Sequence, residues 1–213
     1  MERMAIEQKT IVAKRLFDIV VATLLLMLFS PFCLLIAFLI VLEHALTGRL
    51  RDPIFYTETR ISQGKPFRII KFNIFKYKEI QRLRKEGVFI QTKTLEHNGS
   101  IKRIGFVLKQ IYFDEIPQLF NVIRGDMSIV GPRPLNEKAY QKALRQEVTA
   151  LLYLKAGLTG NFQCYKDVAG KTMKDLDGEY LARITHDPYY KVLLFDLKIL
   201  YRTVKFVLRA KGI

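Results

Sequence analysis

The chain of 213 residues has no tryptophan, only two cysteines and three histidines, and 20 acidic residues against 35 lysines and arginines. Cys33 and Cys164 lie far apart, so their spacing predicts neither a disulfide framework nor a zinc site, and it fits a reducing compartment. The histidines are scattered, and no glycine-rich phosphate loop is present. We therefore expect any bound metal to be a hard cation on oxygen ligands.

The shortage of acidic residues leaves a formal charge of +15. Such a charge predicts a polyanionic partner: nucleic acid, an anionic membrane surface or a phosphorylated substrate. Half of the residues are hydrophobic, which excludes a disordered basic tail, and the length suits one folded domain. No nucleic-acid-binding motif is present, so we expect no nucleic acid partner.

Residues 19–42, IVVATLLLMLFSPFCLLIAFLIVL, contain no charged side chain. A helix of this length reaches about 36 Å, which exceeds the roughly 30 Å of a bilayer's hydrocarbon core. The run is too long for the core of a signal peptide, and charged sequence follows it at once. We therefore expect this segment to lie in lipid.

Basic residues flank this run on both sides: Lys14, Arg15, Arg49 and Arg51. Because positive flanks favour the cytoplasmic face, a straight span would place one pair on the wrong side. Ser30 and Pro31 occupy the centre, where proline removes a helical hydrogen bond and the serine hydroxyl can satisfy the freed carbonyl. These features favour a re-entrant helix broken at Ser30-Pro31. A proline-kinked transmembrane helix is the alternative.

A second amphipathic segment lies near the C-terminus. Cations recur there at spacings of 4, 3 and 4 residues: Lys198, Arg202, Lys205 and Arg209. Apolar side chains are assigned to the other face: Leu197, Leu200, Tyr201, Val204, Val207 and Leu208. This pattern predicts a helix that lies in the headgroup layer, and a surface helix packed on the core fits the periodicity equally well.

The rest of the chain is predicted to be of mixed α+β type and rich in helix. Residues 51–75 alternate well enough for two short strands around a turn at residues 63–66, and residues 76–86 form a charged helical pattern. We expect two regions: residues 1–43, with the re-entrant helix, and residues 44–213, a cytosolic domain with a small β-sheet and the C-terminal amphipathic helix.

The segment DEIPQLFNVIRG predicts a helix that starts at Asp114 and Glu115 and ends before Gly125. Two interpretations fit the adjacent carboxylates. Asp114 can simply cap the helix. Alternatively, an ionised carboxylate can attack phosphorus, and a neighbouring carboxylate can hold Mg²⁺, which draws charge from a diphosphate.

A short apolar strand is predicted after this helix, followed by Gly131-Pro132-Arg133-Pro134. The two prolines restrict the backbone around Arg133, so its guanidinium is partly preorganised for a bidentate phosphate contact. A surface turn with a solvated arginine is the alternative. Because both features follow a membrane segment, we favour a phosphate-handling site.

Residues 113–135, FDEIPQLFNVIRGDMSIVGPRPL, closely resemble the signature of the bacterial sugar transferases, the monotopic polyprenyl-phosphate phosphoglycosyl transferases. The resemblance covers nearly the whole chain. The segment KRLFDIVVATLLLMLFSPFCLLIAFLIV is similar to the family's Lys-Arg-x-x-Asp motif and its Ser-Pro-broken re-entrant helix, FYTETRISQGKPFRIIKF is similar to its strand region, and KAGLTGNFQ is similar to a later segment.

The resemblance implies that Asp114 is the nucleophile and Glu115 the Mg²⁺ ligand. It also implies that several cations bind substrate: Arg133, Lys71, Lys109 and Arg60. Asp114 would attack a UDP-sugar, release UMP and pass the phosphosugar to a polyprenyl phosphate, as the first membrane step of glycoconjugate synthesis. The implied location is the cytoplasmic face of a bacterial inner membrane, among membrane lipids, and a homodimer is compatible with it.

The chain also departs from the family pattern at several positions. Asn73 replaces an arginine, Lys109 replaces an arginine, and Ala156 and Asn161 replace a proline and a tryptophan. Lys109 keeps the charge but loses the planar fork of arginine. These departures leave a second hypothesis, a catalytically degenerate membrane-bound adaptor of the same fold.

Overall fold

The computed structural model describes residues 8–48, 52–85, 101–165 and 170–208. The helices in this part of the chain are α1 (Gln8–Leu46), α2 (Tyr77–Lys85), α3 (Arg103–Gln110), α4 (Gln118–Arg124), α5 (Glu137–Arg145), α6 (Ala150–Tyr153), α7 (Asn161–Tyr165), α8 (Met173–His186) and α9 (Tyr189–Leu208). The strands are β1 (Phe55–Ser62), β2 (Lys65–Phe72), β3 (Ser128–Val130) and β4 (Gly157–Thr159). The helix-rich α+β class is confirmed. Arg49 and Arg51, predicted to flank the apolar run, and Arg209, predicted to lie on the C-terminal helix, are outside the described residues.

The uncharged run forms the middle of α1, which continues through Pro31. Proline lacks the N–H that would bond to the Met27 carbonyl four residues earlier. The Ser30 hydroxyl donates a hydrogen bond of 2.9 Å to that same carbonyl. Ser30 therefore supplies the bond that Pro31 cannot make, and the structure has one helix where the sequence predicts a break at Ser30-Pro31.

One face of α1 packs against the rest of the protein along almost its whole length. Buried side chains recur on this face: Asp18, Ala22, Ile36, Ile40 and His44. Large apolar side chains are exposed on the other face: Leu16, Val20, Leu24, Met27, Leu28, Leu34, Leu35 and Phe38. By length and composition, residues Ile11–Leu46 could cross a membrane. A continuous apolar surface of this kind is typical of contact with lipid.

Strands β1 and β2 form the predicted antiparallel hairpin, in which Ser62 pairs with Lys65 and Phe55 with Phe72. The two connecting residues, Gln63 and Gly64, both have positive φ, at 52° and 74°. Such a turn matches the twist of the flanking strands. The strands are eight residues long, and the hairpin is therefore longer than the sequence pattern indicates.

Strands β3 and β4 form a two-stranded parallel sheet in which Ser128 pairs with Gly157 and Val130 with Thr159. The Gly131 N–H donates to the Thr159 carbonyl at 2.9 Å. A side chain on Gly131 would lie 2.2 Å from the Lys155 carbonyl oxygen, so only glycine permits this approach. The sheet joins the GPRP segment to the KAGLTG segment.

The C-terminal helix α9 packs on the core through Val192, Asp196 and Ile199. Its outer face exposes apolar side chains: Tyr190, Leu194, Leu197, Tyr201 and Val204. The helix thus combines both predicted alternatives, because one face is packed and another leaves apolar groups uncovered. Of the residues predicted to form the apolar face, Leu197, Tyr201 and Val204 lie on this outer face, whereas Leu200 packs against the core.

Candidate active site

Asp114 and Glu115 lie in a short 3-10 helix, Phe113–Glu115, between α3 and α4. The N-cap of α4 is Pro117, so the expectation that the helix starts at the two carboxylates was wrong, and so was the alternative that Asp114 caps it. Proline suits the start of a helix, because its missing N–H would have no partner there. The Asp114 carboxylate is 7% exposed and is held by the 3-10 turn rather than by the helix.

Tyr112 comes directly before this turn and adopts the left-handed conformation, with φ of 58°. A tyrosine in this region of φ is unusual and marks a backbone held by its surroundings. Burial raises the pKa of its phenol, and the Glu115 carboxylate adds to the effect. Tyr112 could not be identified from the sequence, because no local pattern predicts positive φ at a bulky residue.

Lys71, at the end of β2, faces the two carboxylates. Its Nζ lies 2.8 Å from the Glu115 Oε1, and the two side chains are 16% and 29% exposed. Burial lowers the pKa of Lys71, but the charges of Glu115 and Asp114 outweigh burial and hold it above its ordinary value. Of the substrate-binding cations inferred from the sequence, Lys71 is therefore bonded directly to the carboxylate pair.

The two carboxylates differ in their proton affinity. Burial, and then the negative charge of Glu115, raise the pKa of Asp114 to about 7. Burial also acts to raise the pKa of Glu115, but Lys71 outweighs it and holds that pKa below its ordinary value. Glu115 therefore carries the negative charge of the pair at neutral pH, and Asp114 titrates near neutrality.

Lys109 and Arg133 lie within electrostatic reach of this pair. Lys109, in the last turn of α3, acts to lower the pKa of Asp114, and Arg133 acts to lower that of Glu115. The Arg133 side chain is exposed. The fold thus brings the cations Lys71, Lys109 and Arg133 around the two carboxylates, from three elements that are distant in sequence.

Arg60 occupies a different position. Its guanidinium pairs with Glu58 and donates to the Pro134 carbonyl oxygen at 3.3 Å. The contact holds the backbone of the GPRP segment next to Arg133. We therefore interpret Arg60 as a residue that positions Arg133, although the sequence suggested a direct substrate contact.

The Lys-Arg-x-x-Asp motif at the start of α1 fastens this helix to the site. The Arg15 guanidinium donates to the Val122 and Ile123 carbonyls at 2.6 Å each, at the C-terminal end of α4. The Asp18 carboxylate accepts hydrogen bonds from the Ser128 hydroxyl and the Ile129 N–H, both at 3.0 Å. The motif therefore fixes the helix that follows the carboxylates and the strand that precedes Arg133.

Lys14, the first residue of the motif, joins a buried network. Its Nζ lies 2.8 Å from the Asp196 carboxylate, which also accepts a hydrogen bond of 2.6 Å from the Tyr180 hydroxyl. Burial raises the pKa of Asp196 even though Lys14 opposes the effect. This network ties α1 to α8 and α9.

Aromatic side chains connect the centre of α1 with the turn that carries Asp114. The Phe113 ring contacts Phe29 and Phe32 edge-on, with ring centroids 5.6 and 6.3 Å apart. Phe29 and Phe32 flank Ser30-Pro31. The candidate nucleophile therefore lies beside the middle of the apolar helix.

The residues that depart from the family pattern have structural partners. Asn73 is fully buried, and its side chain donates to the Pro53 carbonyl and accepts from the Phe75 N–H. Ala156 is buried beside Ser62, and the Asn161 amide donates to the Leu176 carbonyl at 2.7 Å. The hydrogen bonds of these three residues therefore support the fold and do not involve Asp114 or Glu115.

The residues at the site fit a magnesium ion only in part. In the described part of the chain, no group of three or more His, Cys, Asp or Glu side chains could hold a metal. Mg²⁺ commonly binds through one or two carboxylates and takes its remaining ligands from water and substrate phosphates. Glu115 suits that mode, because its pKa lies below the ordinary value and its carboxylate oxygens can act as ligands. Asp114 lies beside it.

The family described as bacterial sugar transferase matches residues 9–210. An exopolysaccharide production protein, ExoY of Rhizobium meliloti, is 32% identical over 94% of this chain and 87% of its own length. A UDP-glucose:undecaprenyl-phosphate glucose-1-phosphate transferase of Caulobacter vibrioides is 34% identical over 92% of this chain and 69% of its own length.

Longer relatives match the chain over part of their length. An undecaprenyl-phosphate galactose phosphotransferase of Salmonella typhimurium is 31% identical over 93% of this chain but 41% of its own length. The match to the family runs through α1, the carboxylate turn and the GPRP segment and into α9. The chain belongs to the bacterial sugar transferase family.

Proposed function

We propose that the chain transfers a sugar-1-phosphate from a UDP-sugar to a polyprenyl phosphate such as undecaprenyl phosphate, in the synthesis of a bacterial glycan. The observation that carries this proposal is the Asp114–Glu115 pair beside the centre of an apolar helix, in which Asp114 is buried and Glu115 is bonded to Lys71. Relatives named as undecaprenyl-phosphate sugar phosphotransferases support the choice of substrates.

In the first step, an Asp114 carboxylate oxygen attacks the phosphorus next to the sugar. The new aspartyl oxygen–phosphorus bond replaces the bond to the bridging oxygen, and UMP leaves with the electron pair. In the second step, an oxygen of the polyprenyl phosphate attacks the same phosphorus. The aspartyl bond breaks, Asp114 returns as a carboxylate, and polyprenyl-diphosphate sugar is released.

The surrounding cations favour this chemistry electrostatically. A nucleophile must be ionised, and Lys71 and Lys109 act to lower the pKa of Asp114 against the effect of burial. Arg133 is exposed and held next to the site by the Arg60 contact with Pro134, so it is suited to bind the incoming diphosphate. Preorganised positive charge stabilises a transition state in which negative charge builds up on the phosphoryl oxygens.

We propose Glu115 as the ligand of a Mg²⁺ ion, with Asp114 beside it. Bound Mg²⁺ would withdraw negative charge from the diphosphate. Lys71 holds Glu115 ionised, and an ionised carboxylate is what such a cation requires. Lys71 therefore has two roles: it orients Glu115 and it keeps both carboxylates available.

We further propose that α1 enters and leaves the membrane on the cytoplasmic face. Asp18, before the apolar run, bonds to Ser128, and His44, after it, lies 2.7 Å from the buried Lys102 Nζ. A transmembrane helix would place its two ends on opposite sides of about 30 Å of hydrocarbon. Contacts of both ends with one folded body support a re-entrant helix, with the exposed apolar face of α9 in the headgroup layer.

The experiment that tests this proposal separates transfer of a sugar phosphate from transfer of a sugar. Membranes that contain the protein are incubated with a panel of UDP-sugars, Mg²⁺ and polyprenyl phosphate, and the released nucleotide is identified. We expect UMP from the wild type and from Asp187→Asn, a surface carboxylate near Arg183, but not from Asp114→Asn. Release of UDP would contradict the mechanism. If no UDP-sugar gives a nucleotide product, the result agrees with the adaptor hypothesis.

A further inference from the structure

A cavity of about 180 Å³ lies where the first turns of α1 meet the segment after α6. Its walls include three cations, Lys14, Arg15 and Lys155, one carboxylate, Asp18, and apolar groups such as Ile11. One water molecule needs about 10–15 Å³ of such a volume, so the cavity has room for on the order of a dozen. That space is sufficient for a small headgroup.

Two of the cations converge at one point of this region. A methyl group on the Gly125 Cα would lie 3.3 Å from an Arg15 guanidinium nitrogen and 3.7 Å from the Lys155 Nζ. Gly125 follows α4 and has a φ of 96°, so its backbone conformation itself favours glycine. The absence of a side chain here leaves the space between the two cations open.

The cations that line the cavity differ in how far neighbouring carboxylates neutralise their charge. Lys14 is paired with Asp196 and Asp18, whereas Arg15 bonds to two neutral carbonyls. Within the described ranges, the Lys155 side chain makes no hydrogen bond or ion pair. Partial burial and then the nearby Arg15 charge lower the pKa of Lys155, while Asp18 and Asp126 act in the opposite direction. An anion between Arg15 and Lys155 would relieve this repulsion.

The position of the cavity indicates the source of that anion. Ile11, Val12 and Leu16 expose apolar side chains on the same turns of α1, next to the uncharged run. Lys14 and Arg15 come just before that run. Basic residues that flank an apolar segment lie at the depth of the lipid phosphates. Basic pockets at this depth bind lipid headgroups, and nearby apolar surface accommodates the acyl chains.

We propose that this cavity binds the phosphate headgroup of an anionic membrane phospholipid, with Arg15 and Lys155 as its ligands and the acyl chains along the exposed face of α1. Asp114 precedes α4 and Gly125 follows it, so the headgroup lies at the opposite end of that helix from the nucleophile. α4 has seven residues and a length of about 10 Å. The bound lipid is therefore an anchor and not a substrate of the transfer reaction.

The test uses the full chain in bilayer discs of phosphatidylcholine with and without phosphatidylglycerol. After transfer to mild detergent, native mass spectrometry counts the lipids that remain bound, and thermal unfolding is followed with each lipid. We expect the wild type to retain one phosphatidylglycerol and to gain thermal stability from it. Lys155→Gln should reduce this retention about tenfold and abolish the stability gain, and Lys198→Gln, an exposed cation on α9, should change neither.

Each other outcome overturns the proposal. Equal retention by Lys155→Gln and the wild type would exclude Lys155 as a ligand. Equal retention of phosphatidylcholine would exclude selection by charge. If inorganic phosphate alone stabilises the wild type as much as phosphatidylglycerol does, the ligand is a free anion. If polyprenyl phosphate displaces phosphatidylglycerol and then reacts from this site, the site serves the acceptor. These readouts do not require that the chain has transferase activity.

Discussion

Replacing Lys71 by methionine removes the ammonium group that is bonded to Glu115 and keeps most of the side chain's length. The two groups lie 2.8 Å apart and are largely buried. A hydrogen bond to a charged group contributes about 1.5–3 kcal/mol to stability. We therefore expect the free energy of unfolding to fall by about 2 kcal/mol in Lys71→Met, measured by chemical denaturation in detergent.

Activity should fall further than stability. Burial and the Glu115 charge raise the pKa of Asp114 to about 7, and Lys71 opposes them. Without Lys71 this pKa rises further, and each additional unit lowers the ionised fraction at neutral pH about tenfold. We expect kcat/KM for UMP release to fall about 10- to 100-fold near neutrality. The acid limb of the pH–rate profile should move to higher pH, so part of the loss is recovered in alkaline buffer.

The assay measures UMP release between about pH 6 and about pH 9. Lys65→Met, an exposed position at the other end of β2, is the matched control and should keep the wild-type profile. Lys71→Arg preserves the charge and should keep the position of the acid limb. If Lys71→Met has the wild-type acid limb, Lys71 does not control the ionisation of Asp114 and the electrostatic account of the site is wrong.

Three further changes test other parts of the structure. Ser30→Ala leaves the Met27 carbonyl without the hydroxyl and should cost about 1–2 kcal/mol in thermal unfolding, whereas Ser30→Thr should keep the bond. Arg15→Gln removes charged hydrogen bonds from the last carbonyls of α4, so hydrogen exchange should accelerate in that helix. Asp177 is 1% exposed, and burial raises its pKa to about 7. Its folded form therefore holds a proton that the unfolded chain has already released, and stability falls as pH rises from about 4 to about 7, by up to about 4 kcal/mol. Asp177→Asn should remove this part of the pH dependence in denaturation curves.

Local patterns of the sequence predicted much of the fold. The hairpin follows from alternating residues around Gln63-Gly64, and the apolar run predicts α1 from its length alone. The hydrogen bond from Ser30 follows from the chemistry of a neighbouring proline. The carboxylate pair and Arg133 were also identified from short motifs, because each motif lies within one continuous stretch of chain.

Contacts between distant segments could not be predicted in this way. Lys71 and Glu115 are 44 positions apart, and Lys14 and Asp196 are 182 apart. The regular spacing of its cations predicted α9. Its packed face, however, is organised around Asp196, whose partners lie on other helices. The exact start of α4 was missed because two adjacent carboxylates before a proline fit a helix N-terminus and a 3-10 turn equally well.

The most direct test of the central claim is to trap the covalent intermediate. The purified chain is incubated with a UDP-sugar and Mg²⁺ without polyprenyl phosphate, and its mass is measured before and after proteolysis. We predict that the chain gains the mass of one sugar phosphate, that the peptide containing Asp114 carries it, and that polyprenyl phosphate removes it. An unmodified chain that still transfers sugar phosphate to lipid, or an adduct that persists in Asp114→Asn, would contradict the account.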